Sequence, residues 1–438
     1  MMIFARHRLA LPALMLALAG AAVMLSLGLR GADLAPAASL QGTEQRPLSQ
    51  TDRIIWDYQE LVRREPQSAD ASAALGIAYL QKARETADPS YYERAGAALD
   101  AALRLDQRHV DALVGKGTLA LARHDFRAAL ELGERARGLS PGTARIYGVI
   151  ADAQTELGMY GAAVATIQTM VDLRPDLGSY SRVAYARELH GDLEGAIEAM
   201  GMAVSAGGPS QENTEWTRVQ LGNLYFAKGD LAAAEAQYRR SLAVLPDYVH
   251  ALAGLAHVRA AQGRPDEAAA LYRRAIERVP LPELVIGLGE TLEAAGRDKE
   301  AAEQYELVRA MQRLLRAGGV DTDLELALFE ADHGADPQAA LALARGAYER
   351  RPSVKAADTL AWALCRAGMP DEARHYADEA LRLGTQDALM LYHAGMIAHA
   401  GGDATAARTH LSRALSLNPH FSPLYAPRAR AALAELSR

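Results

Sequence analysis

Residues 219–246 read VQLGNLYFAKGDLAAAEAQYRRSLAVLP, and residues 253–280 read AGLAHVRAAQGRPDEAAALYRRAIERVP. A shift of 34 residues superposes the two stretches. Gly222, Ala234, Ser241 and Pro246 in the first stand where Ala256, Ala268, Ala275 and Pro280 stand in the second. Between these marks Leu, Val, Ile and Tyr recur at i, i+3 and i+4, the spacing of a helix that buries one face. The closing proline cannot continue a helix, so each unit ends on a stop. The unit is therefore a pair of helices, and its small residues let the pair approach to about 8–10 Å.

The pattern extends both ways along the chain. Gly117, Ala129, Ala136 and Pro141 carry it, as do Ala151, Ala163, Met170 and Pro175, and Gly395, Ala407, Ala414 and Pro419. Weaker copies centre on Gly76/Ala95, Ala184/Ala196, Gly289/Ala301, Leu328/Ala340 and Ala361/Ala373. The alanine marks thus fall at 95, 129, 163, 196, 234, 268, 301, 340, 373 and 407. Two gaps, of 38 and 39 residues, are longer than the rest and place insertions near 207–214 and 309–320. A third insertion lies inside the first unit, around Glu85–Tyr91. A fixed period of this length marks a stacked array, because no unit can bury its apolar face alone.

Leu75-Gly76-Ile77-Ala78-Tyr79 and Leu221-Gly222-Asn223-Leu224-Tyr225, with the turns Gly191-Asp192-Leu193 and Gly229-Asp230-Leu231, resemble the tetratricopeptide repeat (TPR) family over roughly residues 50–421. The resemblance implies an all-α, right-handed α-solenoid of about ten helix-turn-helix units. It also implies an interaction scaffold rather than an enzyme. Flanking the array, residues 49–68 and 422–438 read as capping helices. The array divides into blocks 69–315 and 316–421, because the second helix of Leu281–Arg316 runs past Met311 without its proline and Leu328 replaces the usual small residue.

Arg6, His7 and Arg8 precede the uncharged apolar run Leu9–Leu29, and residues 31–48 read as a tether. As a helix the run would span roughly 32 Å, enough for a bilayer core. Cleaved leaders have shorter apolar regions, so the length favours an uncleaved anchor within residues 1–30. The alternative is cleavage near Ala35-Pro36-Ala37-Ala38. Basic residues at the N-terminal flank keep that end in the cytoplasm. The expectation is a single pass through a bacterial cytoplasmic membrane with the repeats facing the periplasm or exterior, or a secreted or periplasmic protein after leader cleavage.

Half of the residues are apolar, only 6% are aromatic, and the net charge is −7. No basic stripe suited to phosphates stands out, which argues against nucleic acid. A single cysteine, Cys365, excludes an intramolecular disulfide and a multi-thiolate zinc site. Gly138-Leu139-Ser140-Pro141-Gly142 matches a nucleophile-elbow pattern, but it falls at a helix end where a strand-to-helix turn is needed. Gly115-Lys116-Gly117 and Gly287-Leu288-Gly289 coincide with small-residue packing marks. His333, between Asp332 and Asp336, has no nucleophile beside it. No catalytic residue and no cofactor is expected.

In a curled array the first helices line the concave wall. The register places Arg145, Asp152, Tyr185, Trp216, Asn223, Phe226, His250, His257, Glu290, Lys355, Asp358, Trp362 and Tyr392 there. Tyr185, Trp216 and Phe226 fall in adjacent units and are candidate anchors for a partner peptide or helix; packing against the next helix pair is the competing reading. Some chaperone-binding relatives clamp a C-terminal carboxylate with Lys and Asn, but Val219 and Gly254 hold those positions. The alternative function is a small-ligand or metal-binding module using the C-terminal histidines His375, His393, His399, His410 and His420, expected to be exposed or lightly buried, with no metal ligands assigned.

Overall fold

The computed structural model describes residues 49–209 and 212–437. The expected anchor and tether lie outside the described residues. The first helix, α1 (Gln50–Arg64), stands alone. Ten helix pairs follow: α2 (Ala69–Thr86) and α3 (Ser90–Leu105), α4 (Val110–Ala122) and α5 (Phe126–Leu139), α6 (Ala144–Glu156) and α7 (Tyr160–Leu173), α8 (Leu177–Leu189) and α9 (Leu193–Ala206), α10 (Glu212–Ala227) and α11 (Leu231–Val244). The series continues with α12 (Val249–Ala261) and α13 (Pro265–Arg278), α14 (Pro282–Ala294) and α15 (Asp298–Ala317), α16 (Asp323–His333) and α17 (Pro337–Arg350), α18 (Val354–Arg366) and α19 (Pro370–Ala380), α20 (Ala388–Ala400) and α21 (Ala404–Leu417). A lone α22 (Tyr425–Leu436) covers the last pair, and no strand occurs among the described residues.

The local chemistry of each unit follows from its sequence. In the turns Gly191-Asp192, Gly229-Asp230 and Gly402-Asp403, the glycine takes φ of 93°, 82° and 78°. A left-handed residue ends the first helix without a Cβ penalty. The aspartate then caps the second helix, its carboxylate accepting from Gly195, Ala233 and Ala406 backbone N–H groups. All ten alanine marks are buried, none more than 3% exposed. Their small size is what the interface needs: Tyr238 of α11 fills the space left by both Gly222 and Gly254, whose added Cβ atoms would lie 2.5 and 2.4 Å from its ring.

First helices of neighbouring units also pack directly on one another, α2 on α4, α4 on α6, α10 on α12, α16 on α18 and α18 on α20 among them, which puts them inside the curve. This packing falls away between α8 and α10 and between α14 and α16, where the two insertions sit. At the second place α15 also stands off from α16. That joint is spanned by large side chains: Tyr305 meets Phe329 at 5.8 Å and stacks on His333 at 4.2 Å, and Arg309 pairs with Glu330 at 2.8 Å.

The coil closes on itself. Each turn inside a unit meets the linker that follows the fifth unit after it, so residues 192–197 apart in sequence touch. Ala87, after α2, packs with Val249, Leu252, Leu281 and Leu284. Asp321 N–H donates to Arg123 carbonyl at 3.2 Å, and His124 Nδ1 donates to Asp321 carbonyl at 2.6 Å. Val354 N–H donates to Tyr160 hydroxyl at 2.8 Å. Thr385 hydroxyl donates to Leu189 carbonyl at 3.0 Å, and Asn418 amide to Phe226 carbonyl at 2.8 Å. Successive superhelical turns are therefore in contact.

Candidate interaction surface

The wall of α10 and α12 is the part of the interior where the sequence-derived residues remain half-open. Trp216 is half-buried, with the Arg84 guanidinium 5.4 Å from its ring centroid and that same arginine 3.0 Å from Glu212. Phe226 and His257 rings lie 5.8 Å apart, and His257 is exposed along the wall. Asn223 accepts from Tyr238 hydroxyl at 2.8 Å and donates to Gln220 at 3.2 Å, so its amide is already committed. His250 meets Tyr248 edge-on at 5.3 Å. Burial, with the Arg84 charge adding to it, lowers His250 to a pKa of about 4, so its ring is neutral near pH 7. A cavity of about 490 Å³ opens beside this wall, lined by Arg84, Glu212, Tyr248, His250 and Arg278 among others.

Other candidates are engaged in structural pairs. Arg145 pairs with Asp111. Asp152 takes both arms of Arg182, at 2.8 and 2.5 Å. Tyr185 is half-buried beside Tyr160 and Leu189, and Lys355 reaches it from one superhelical turn away, 5.5 Å from the ring centroid. Glu290 lies 3.4 Å from His333 Nε2. Asp358 holds His393 Nδ1 at 3.0 Å. Trp362 donates from Nε1 to Asp332 at 2.8 Å and stacks on His393 at 4.5 Å, while Tyr392 stacks on Tyr425 at 5.2 Å. Trp362 and Tyr392 are core side chains. No ring contact joins Tyr185, Trp216 and Phe226 among the described residues.

One histidine departs from expectation. His393 is fully buried, not exposed, because its ring fills the gap between Trp362 and Asp358; the neighbouring carboxylates raise its pKa although burial opposes this. His375 and His420 are exposed. No three His, Cys, Asp or Glu side chains converge as a metal site among the described residues. Cys365 is half-buried and its thiol is pushed up by burial. Ser140 is the C-cap of α5 and pairs with Thr143 at 2.8 Å, with a helix before it where a nucleophile elbow needs a strand.

Several inner-wall residues escaped the sequence reading: Arg84, Glu188, Asp332, Asp387 and Tyr425. One signal bears on them. Inner-wall partners stand about one repeat apart in sequence, as in Arg182–Asp152, Arg145–Asp111 and His393–Asp358, separated by 30, 34 and 35 residues.

A family model for the tetratricopeptide repeat matches residues 90–144, 114–178, 219–281, 254–311 and 359–420. The cellulose synthase operon protein C of Xanthomonas axonopodis pv. citri (strain 306) is 28% identical over 375 residues. That alignment covers 81% of this chain and 21% of the relative, so the chain spans a small part of that protein. Among solved structures, the human IFIT1 dimer with PPP-AAAA is similar at 14% identity over 85% of this chain and 96% of that one, with a TM-score of 0.45. A chain of the APC/C hetero-tetramer Cut9-Hcn1 is similar at 17% identity over 88% and 81%, with a TM-score of 0.38. The family matches together span more than half of the sequence, and on that ground the chain belongs to the tetratricopeptide repeat family.

Proposed function

We propose that this chain is a non-catalytic, membrane-tethered scaffold that faces the periplasm or cell exterior and holds a segment of a partner protein against the inner wall of a right-handed superhelix. The observation that carries the reading is the half-open wall of α10 and α12. There Trp216, Phe226, His250 and His257 combine aromatic surface with hydrogen-bonding rings, and His250 also lines the cavity. Peptide or helix recognition needs that mixture. The wide joint after α15 divides the scaffold into blocks 69–315 and 316–421 on this reading. Similarity to part of a cellulose synthase operon protein supports a partner among proteins of an envelope or export assembly.

Crosslinking of the full chain in native membranes, followed by purification and mass spectrometry, tests this. One or a few stoichiometric proteins are expected with the wild type and lost with Trp216→Ala/His257→Ala. Recovery of no protein from the wild type overturns the scaffold reading.

A further inference from the structure

Carboxylates gather on the inner wall of the C-terminal units. Glu290 is on α14, Asp332 on α16, Asp358 on α18, and Asp387 caps α20. Glu188, on α8, meets the same strip from the previous superhelical turn, with Lys355 and Asp387 as its charged neighbours. Glu293 joins them but is paired with Arg428 at 3.1 Å. Lys355, Arg366 and Arg428 are the fixed cations that face these six carboxylates, with His333 and His393 as the titratable ones. Carboxylates on the strip thus outnumber its fixed cations, six to three.

Polar atoms in the strip also lack partners. Glu188 Oε1 and His393 Nε2 make no hydrogen bond, on residues 3% and 0% exposed. An unmet polar atom at such depth costs about 1–3 kcal/mol. Burial, together with neighbouring carboxylates, holds Glu188, Asp332 and Asp387 above the ordinary range. The chain's own cations show which chemistry fits. Lys355 lies over Tyr185, Arg366 over Trp362 and Arg428 over Tyr425, at 5.5, 5.9 and 5.2 Å from the ring centroids. Each occupies an aromatic face close to a carboxylate, a favourable seat for an organic cation.

We infer that the inner wall of the last four repeats, with Glu188 facing it, is a docking strip for a polypeptide segment bearing lysine or arginine, whose cations sit between Glu188, Glu290, Asp332, Asp358 and Asp387. The inference rests on the scaffold reading and narrows its partner. The strip extends over four successive units, so it suits several cations spaced along one segment. A lone metal ion would need converging ligands, which the described residues do not provide.

The test uses the full chain and three fluorescent synthetic peptides that differ only in carrying lysine, serine or glutamate at the same positions. At about 0.15 M salt, where charges still act over about 8 Å, the lysine peptide is expected to bind about tenfold or more tighter than the serine peptide, a difference of about 1.4 kcal/mol. The glutamate peptide is expected not to bind. Asp332→Asn/Asp387→Asn, checked by its melting curve, is expected to lose that preference. Equal binding of lysine and serine peptides, or an unaltered preference in the double variant, overturns the inference. So does displacement of the lysine peptide by magnesium alone, which would mark a simple metal site. Failure of all three peptides overturns it too, whereas a protein recovered by crosslinking in native membranes would leave the scaffold reading standing.

Discussion

Glu188 shows how one side chain records its surroundings. It is 3% exposed, one carboxylate oxygen has no partner, and burial raises its pKa well above the ordinary value of 4.5, with Asp387 adding to the rise and Lys355 opposing it. The native state therefore holds this proton more tightly than the unfolded chain does. The stability it contributes is present at low pH and is lost as pH rises from the unfolded value through the folded one. Glu188→Gln, which keeps the shape and removes the charge, should leave the melting temperature near wild type at about pH 4 and raise it at about pH 7.5. A difference that stays flat across that range would contradict this account. Trp362 and Cys365 give the complementary lesson. Three apart on α18, they have the spacing of residues that share a packing face, and both belong to or border the C-terminal core.

At the scale of helices, the small residues set the distances. Gly254 lets α12 approach the ring of Tyr238, itself fully buried between α10 and α12. Gly254→Ala should overpack that contact and cost about 1–3 kcal/mol; chemical denaturation followed by circular dichroism measures it, and an unchanged midpoint would refute the packing assigned to this position. Where the small residue is missing, the helices part. Leu328 occupies the mark on α16, and α15, of 20 residues against the 14 of α13 and α17, runs nearly two turns further, to Ala317. Tyr305, Phe329, His333 and the Arg309–Glu330 pair then bridge the wider gap. The irregular stretch around His333 thus reads as a spacer of stacked rings, with the imidazole on Tyr305 and its nitrogen toward Glu290.

At the scale of the molecule, the distinctive feature is the seam between superhelical turns. Its buried centre is Arg351, 5% exposed, which pairs with Glu325 at 2.9 Å, reaches toward Glu156 at 3.9 Å and lies over Phe126 at 5.4 Å. Burial pushes the Glu325 carboxyl up, but Arg351 and His124 more than reverse this and hold it below the ordinary range. Removing one member of such a pair leaves a buried charge uncompensated, at a cost of about 3–5 kcal/mol. Arg351→Ala combined with Asn418→Ala should therefore loosen the coil while each helix pair persists. Small-angle scattering is expected to show a larger radius of gyration with little change in helical circular dichroism. An unchanged radius would mean that the coil holds its pitch without the seam.

The sequence by itself determined the repeat. Ten buried alanines, the Gly-Asp turns, the prolines after the second helices and the lone helices at either end all follow from chemistry within about forty residues, and helix pairs are decided by such local patterns. It also located both insertions and the long α15, because a break in period is visible without coordinates. The candidate wall was legible only as a list of inward positions. Tyr185 could not be known to lie under Lys355, nor Trp216 under Arg84, since those neighbours come from 170 and 132 residues away. Only the tertiary structure decided that the coil closes after five to six units, that Trp362 and Tyr392 are core, and that carboxylates from five units gather on one strip. The physical reason is that superhelical pitch sums small rotations from every interface, so contacts nearly two hundred residues apart are fixed by no single motif.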